Sequence, residues 1–401
     1  MTHKISSRKF VYMAVTVAVT AALFSSPRAS AQHNAQQAEN KYMQVNLVSS
    51  GYVAAKVTDP KLINPWGMVA GPTSPVWTSN QGTNTSNVYF ISNVEAGTGA
   101  NFTVAVPTQM GGPNGPTGIV FSTFSATSNA FEIPKAMGGM VPSFFIFANL
   151  NGTISGWNPG STGGAANAVI AVNNHDAGAV YTGLALATVG SKTYLYAANF
   201  TPQGGVEVYD TSFKPAEDMM WRSFDADHDL PELSRGMIWR PYNIADINGM
   251  IYVAYAAMPA TGGLAITHMG LGVIAVFTPQ GKLMKVLAKD GQLDAPWGMV
   301  MAPNQFGKFS NDLLVGNFGN GRILAFRIRP NDEGQDANAN GHDTFAGLLR
   351  DSNHKIIENG FLWTLMFGNG VHGADSDTLY FTTGGSNQAT DGLLGAITAE
   401  K

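Results

Sequence analysis

Apolar residues in this chain come in short runs, rich in β-branched and aromatic side chains, and most runs close on a Gly- or Asn-bearing turn. TYLYAANF ends at Phe200, SFFIFANL at Leu150 and DLLVGNF at Phe318. Runs this short, bounded by turn residues, read as strands and not as helices. A third run usually follows, led by a glycine: GTISGWN from Gly152, GGVEVYD from Gly204, GVIAVFT from Gly272 and GRILAFRI from Gly321. A fourth completes most units, as KLMKVLA does from Lys282 to Ala288.

The runs belong to a repeat. Six segments share an aromatic residue, leucine or proline, then a variable residue, a small or polar one and an apolar one. They are Pro65-Trp66-Gly67-Met68, Pro116-Thr117-Gly118-Ile119, Tyr181-Thr182-Gly183-Leu184, Pro241-Tyr242-Asn243-Ile244, Pro296-Trp297-Gly298-Met299 and Leu362-Trp363-Thr364-Leu365. Their third positions lie 51, 65, 60, 55 and 66 residues apart. Four short antiparallel strands per unit describe a propeller blade. Blades bury their faces only against neighbours, so the units form one domain. The last unit shows three strands, LWTLMFG, TLYFTTG and LLGAITA, and YMQVNLVS (Tyr42 to Ser49) stands ahead of the first unit. The expected fold is therefore an all-β, six-bladed β-propeller spanning 42–401, closed by an N-terminal strand pairing into the last blade. Such closure leaves no open sheet edge at the seam.

Composition adds the compartment. Lys4, Arg8 and Lys9 precede an apolar stretch from Phe10 to Phe24, and Ala29-Ser30-Ala31 offers small residues for cleavage. This reads as a signal peptide over 1–31, followed by a flexible segment over 32–41. The apolar stretch is short of the roughly 20 residues a membrane span needs. The expected location is periplasmic or extracellular, with no membrane span. Arg8-Lys9 before Phe10 admits twin-arginine export as a second route. Losing four of the 23 basic residues against 27 acidic ones leaves the mature chain at about −8, which argues against nucleic acid as a partner. The absence of cysteine excludes disulfides and thiolate chemistry. A domain of this size can live on its core as a monomer.

On NPWGM (Asn64 to Met68), LDAPWGMVMAPNQFGKFSNDLLVGNF (Leu293 to Phe318), LWTLMFGNG (Leu362 to Gly370), TLYFTT (Thr378 to Thr383) and the closing GLLGAI, the chain resembles a known family. This is an uncharacterised group of exported bacterial six-bladed propellers related to NHL-repeat proteins, some carrying a C-terminal PEP-CTERM sorting tail. The resemblance implies the fold and export, and no established activity. The chain departs from it in stopping at Lys401 without such a tail.

Strand direction places candidate residues. If first strands run down, their starts, the second-to-third turns and the blade connections share an upper face. Trp66, Thr117, Thr182, Tyr242, Trp297 and Trp363 then ring the channel mouth. They either plug the channel or offer aromatic faces to a small molecule, glycan or protein. Asn93, Asn149, Asn199 and Asn317, near the ends of second strands, are turn formers or ligand contacts. Arg240 is placed to meet an anionic group. The blade connections hold His175 and Asp176, then Asp225, Asp227, His228, Asp229 and Glu232, then His354 and Glu358. Converged, such groups would serve a metal or acid–base site. In related propellers with calcium- or zinc-dependent lactonase activity, acidic and Asn residues at strand starts hold the central metal. Here those positions are Trp, Thr, Tyr and Trp, which weighs against that site. Asp336-Ala337-Asn338-Ala339-Asn340-Gly341-His342 has the D-x-[DN]-x-[DN]-G spacing of a calcium loop, with His342 supplying a carbonyl. Its twelfth position is Gly347, so any Ca2+ would bind weakly, on the order of millimolar. There is no G-x-S-x-G, H-E-x-x-H or Walker motif, and Gly270-Leu271-Gly272 precedes a strand and not a helix. Three functional readings follow. The first is a binding propeller acting at the channel mouth, and the second a metal-assisted hydrolase or lyase on a lactone, ester or sugar. The third is a structural component of an envelope assembly.

Overall fold

Six β-sheets stand as blades around a common axis in the computed structural model, which describes residues 39–91, 102–219, 224, 226, 228–288, 291–328, 344–371 and 374–400. The innermost strands are Pro65–Ala70, Pro116–Phe121, Tyr181–Val189, Met237–Ile247, Pro296–Met301 and Leu362–Phe367. Each touches the next in that order, and the last touches the first. Five of the six begin on the first residue of the sequence repeat. The fourth begins at Met237, earlier than the repeat start at Pro241.

The first blade runs outward through Val76–Asn80, Thr85–Tyr89 and Thr103–Ala105, every pair antiparallel. The second, fourth and fifth blades are built the same way. The third has three strands, Tyr181–Val189, Lys192–Asn199 and Val206–Tyr209. At its outer edge the chain folds back, Ala216 N–H donating to Val208 C=O. Blade-to-blade seams hold the core. Tyr194, Tyr196, Trp239, Tyr255 and Phe277 fill the junction of the third and fourth blades, for example.

The sixth blade closes the ring as the sequence implies. Tyr42–Ser49 pairs antiparallel with Leu393–Ala399, and Val57–Thr58 adds a short parallel strand beyond it. Tyr42 is buried and stitches this blade to the fifth. Its hydroxyl donates to Phe306 C=O (3.1 Å) and accepts from Phe309 N–H (3.2 Å), with its ring stacked on Phe309. Asn40 acts as a surrogate ladder residue, its amide bonding Leu348 C=O and Arg350 N–H.

The repeat itself is a β-bulge. In every inner strand the register slips by one residue beside the motif's second position, as between Pro65 and Met68, Tyr181 and Gly183, or Leu362 and Leu365. The same slip occurs in the second, fourth and fifth blades. A bulge bends the strand and re-aims the extra side chain. It also brings the third position against the neighbouring blade. A Cβ on Gly67 would strike Thr117 C=O, and one on Gly298 would strike Trp363 C=O. One on Gly118 would lie 2.6 Å from Leu184 N. The two blades without this glycine bridge the seam by hydrogen bonds instead. Asn243 Nδ2 donates to Trp297 C=O (2.8 Å) and Thr364 Oγ1 to Trp66 C=O (2.7 Å).

Candidate functional site

The re-aimed second-position side chains meet on the propeller axis. Trp66 stacks on Trp363 with ring centroids 3.7 Å apart. Trp297 meets both edge-on, at 6.4 and 5.8 Å, and Tyr242 lies 6.3 Å from Trp66. Phe200 and Phe318 complete the cluster, with Leu150, Ile238, Ala265 and Phe361 packed half-buried against it. All six second positions are buried, Thr117 and Thr182 included. The rings cover one another's faces, so the cluster plugs the channel. Burial also raises the Tyr242 phenol well above its ordinary pKa, keeping it neutral.

The three indoles differ in one respect. Trp363 Nε1 donates to Asn64 Oδ1 (2.8 Å), and Trp297 Nε1 crosses the axis to Thr182 C=O (3.0 Å). Trp66 Nε1 is buried without a partner. Beside the plug, Trp297 and most of the third and fourth motif positions, Asn243 and Thr364 among them, line a cavity of about 100 Å³.

The asparagines at second-strand ends pair across the sheet with the first motif position. Asn149 faces Pro116, Asn199 faces Tyr181 and Asn317 faces Pro296. Asn149 Oδ1 accepts from Gly115 N–H and Asn199 Oδ1 from Val180 N–H, fixing the residue that leads into the inner strand. In the fifth blade that amide, Ala295 N–H, goes to Leu271 C=O, and Asn317 Oδ1 has no partner. Asn93 does not belong to this set and lies outside the described residues. The first blade's second strand is Val76–Asn80, with Asn80 opposite Pro65. The apolar run that points to Asn93 is the third strand. The true second strand escapes notice because Thr78, Ser79 and Asn80 are polar yet fully buried.

The titratable candidates sit on separate blade connections. His175 Nδ1 is 3.1 Å from Asn151 C=O, and Asp176 is exposed beside it. His228, Asp229 and Glu232 are exposed, and Asp225 and Asp227 lie outside the described residues. His354 is exposed, its carbonyl accepting from Arg350, and Glu358 pairs with Arg322 at 2.9 Å. Among the described residues no three His, Asp or Glu side chains gather as a metal cage. Asp336, Asn338, Asn340 and His342 lie outside the described residues. Arg240 is engaged by the protein itself, its guanidinium donating to the carbonyls of Thr201, Pro202 and Trp239.

Two polar features carry no motif. Asp294 is buried, its Oδ1 without a partner, and burial raises its carboxyl above the ordinary range against the opposing pull of the His268 backbone N–H and of His268 and Arg322. Between the second and third blades, Glu207 Oε2 accepts from Tyr181 and Tyr209 (2.6 Å each), and Asn199 donates to Oε1 (2.7 Å). One signal for this knot was present: Tyr181 is the only aromatic residue at a first motif position.

No family model matches the chain. It is similar to three uncharacterized proteins of Acanthamoeba polyphaga mimivirus. One is 26% identical over 361 residues, covering 88% of this chain and 85% of that protein. Another is 28% identical over 356 residues, covering 88% and 78%. The third is 32% identical over 187 residues, and the match spans only a third of its length. These relatives are viral, where the resemblance pointed to bacteria. Among solved structures, a Bacteroides thetaiotaomicron protein of unknown function superimposes with a TM-score of 0.46 at 9% identity, over 89% of this chain and 76% of its own. A Thermus thermophilus protein described as an oxidoreductase (glucose dehydrogenase) gives 0.45 at 12%, over 89% and 99%. Likeness at that level carries no functional argument. Among the described residues no helix is long and apolar enough to cross a membrane.

Proposed function

We propose that the protein is an exported binding propeller that takes a small, largely apolar ligand bearing one hydrogen-bond acceptor against the aromatic plug. One observation supports this above the others: Trp66 Nε1 is the only one of the three plug indoles whose N–H has no acceptor. Leaving a buried donor unpaired costs about 1–3 kcal/mol, and a ligand acceptor would remove that cost. The half-buried Leu150, Ile238, Ala265 and Phe361, packed against the same cluster, add apolar surface to it. Because the indole faces are already covered, sugar stacking on them is disfavoured. The leader-like N-terminus supports export.

The test is titration of the mature chain with camphor, acetophenone and cyclohexanone, read by tryptophan fluorescence and near-ultraviolet circular dichroism of the stacked Trp66–Trp363 pair. Saturable binding that Trp66→Phe removes, with the fold intact, is the expected result. Signals that do not respond to any of the three compounds, or binding that Trp66→Phe leaves unchanged, would overturn the reading.

A further inference from the structure

The hairpin link between the first and second strands of the second blade is the longest of the six. It covers residues 122–144, against 71–75 in the first blade and 190–191 in the third. It carries a hairpin of its own, Glu132–Pro134 paired with Met140–Pro142. It is also fastened to the third blade. Phe131 N–H donates to Thr211 C=O, and its ring packs on Phe213 at 5.3 Å. Both phenylalanines are held at positive φ, 54° and 59°. That conformation is an outlier for bulky residues, retained only where the surroundings impose it.

What this fastening builds is a groove of about 1,030 Å³ on the flank of the third blade, walled by the insertion on one side and by residues 191–194, 210–211 and 214–218 on the others. We propose that it is a second binding site, separate from the channel plug, for a neutral polyhydroxylated chain such as an oligosaccharide. Its walls carry the hydroxyls of Ser128, Ser191, Thr193 and Thr211. Its charges are mixed, Lys192 and Lys214 against Asp210, Glu217 and Asp218. Asp218 Oδ2 accepts from Lys192 (2.6 Å) and from Tyr194 (2.8 Å), and Asp210 Oδ1 accepts from the amides of Ser212 and Lys214. With two basic and three acidic side chains the lining is close to balanced, so a strongly charged ligand finds little excess of opposite sign. The Lys192–Asp218 pair remains half-exposed and sets a three-proton donor beside a carboxylate acceptor. That pairing suits neighbouring hydroxyls, one accepting from the ammonium and one donating to the carboxylate. The volume lies at the upper end of the roughly 300–1,000 Å³ of small-molecule pockets, so it suits a chain of sugar units better than a single one.

The test is calorimetric titration of the mature protein with maltohexaose, cellohexaose, laminarihexaose, xylohexaose and chitohexaose. At least one should bind with one-to-one stoichiometry. Asp218→Ala should weaken that binding about tenfold or more through loss of a charge-assisted bond, and Ser191→Trp should block it. Both sites are exposed, so both variants should keep the wild-type far-ultraviolet circular dichroism, and Trp66→Phe should leave the sugar affinity unchanged. The proposal fails if none of the five binds, or if binding survives both groove variants. It fails equally if Trp66→Phe removes sugar binding while Asp218→Ala does not, since the plug would then be the sugar site.

Discussion

Replacing each plug tryptophan by phenylalanine separates hydrogen bonding from packing within one cluster. The three substitutions remove the same atoms from the same buried environment. Trp66→Phe and Trp363→Phe even disrupt the same stacked pair, at 3.7 Å. They differ in what they leave behind. Trp363→Phe strands Asn64 Oδ1, whose other side-chain donor is Gln388 Nε2 at 3.5 Å, and Trp297→Phe strands Thr182 C=O. Each orphaned acceptor should cost about 1–3 kcal/mol beyond the shared packing loss. Trp66→Phe removes a donor that is already unpaired and should recover a penalty of similar size. The Trp66 variant should therefore be more stable than the other two by about 2 kcal/mol or more. Unfolding entropy of about 2.1 cal/mol/K per residue, over some 360 residues, converts this to a gap of roughly 3 °C. Thermal unfolding followed by far- and near-ultraviolet circular dichroism resolves such a gap. Three equal shifts, or Trp66→Phe as the least stable, would refute the assignment of hydrogen bonds in the plug.

Other outcomes follow from the seam, the latch and the buried acid. Gly298→Ala should destabilise by about 1–3 kcal/mol, because its methyl meets Trp363 C=O, whereas Gly205→Ala, with open space around it, should stay within about 0.5 kcal/mol of wild type. Urea unfolding distinguishes the two. Tyr42→Phe should cost about 1–3 kcal/mol for the lost hydroxyl bonds to Phe306 and Phe309. Tyr42→Ala should cost about 3–5, read by the same assay. Asp294→Asn tests pH linkage. Burial raises its carboxyl in the fold, so the native state holds the proton more tightly than the unfolded chain, whose value is about 3.9. Stability falls as pH rises from there through the folded value. The variant should gain in midpoint at pH 7 and lose that gain below about pH 4; a gain that persists in acid would contradict the argument.

The fold was legible because one short pattern carries most of it. A bulge needs a small third residue to pass the neighbouring blade, and Gly67, Gly118, Gly183 and Gly298 mark that point in the sequence. The closing strand showed itself as an apolar run with no blade of its own. The partners of the six second-position residues were less readable. An aromatic at a channel mouth and an aromatic filling the channel have the same sequence, and only the ring contacts distinguish them. Arg240 reads as a surface cation but spends its donors on the carbonyls of a turn, which the identity of the turn residues does not reveal. Val76–Asn80 was missed because only its first two residues are apolar; Thr78, Ser79 and Asn80 are buried as well, Thr78 Oγ1 donating to Asn80 Oδ1 while Ser79 Oγ has no partner. The flank groove has no motif, since its wall comes from an insertion whose placement depends on Phe131 meeting Phe213.

The seam in the sixth blade sets the order in which the protein can be finished. Tyr42–Ser49 is among the first parts of the propeller to be made and Leu393–Ala399 among the last, yet they are neighbours in one sheet. Until the final strand exists, five blades can form in an open arc, but the latch residues Asn40 and Tyr42 have no complete sixth blade to hold. Such end-to-end pairing makes the last step slow relative to the local hairpins. A chain permuted to begin near residue 50, with its present ends joined ahead of a new C-terminus, would write the four antiparallel strands of that blade consecutively and leave only the two-residue Val57–Thr58 at the other end. Ring closure would then cease to depend on one terminus finding the other and would become a matter of two finished blades docking.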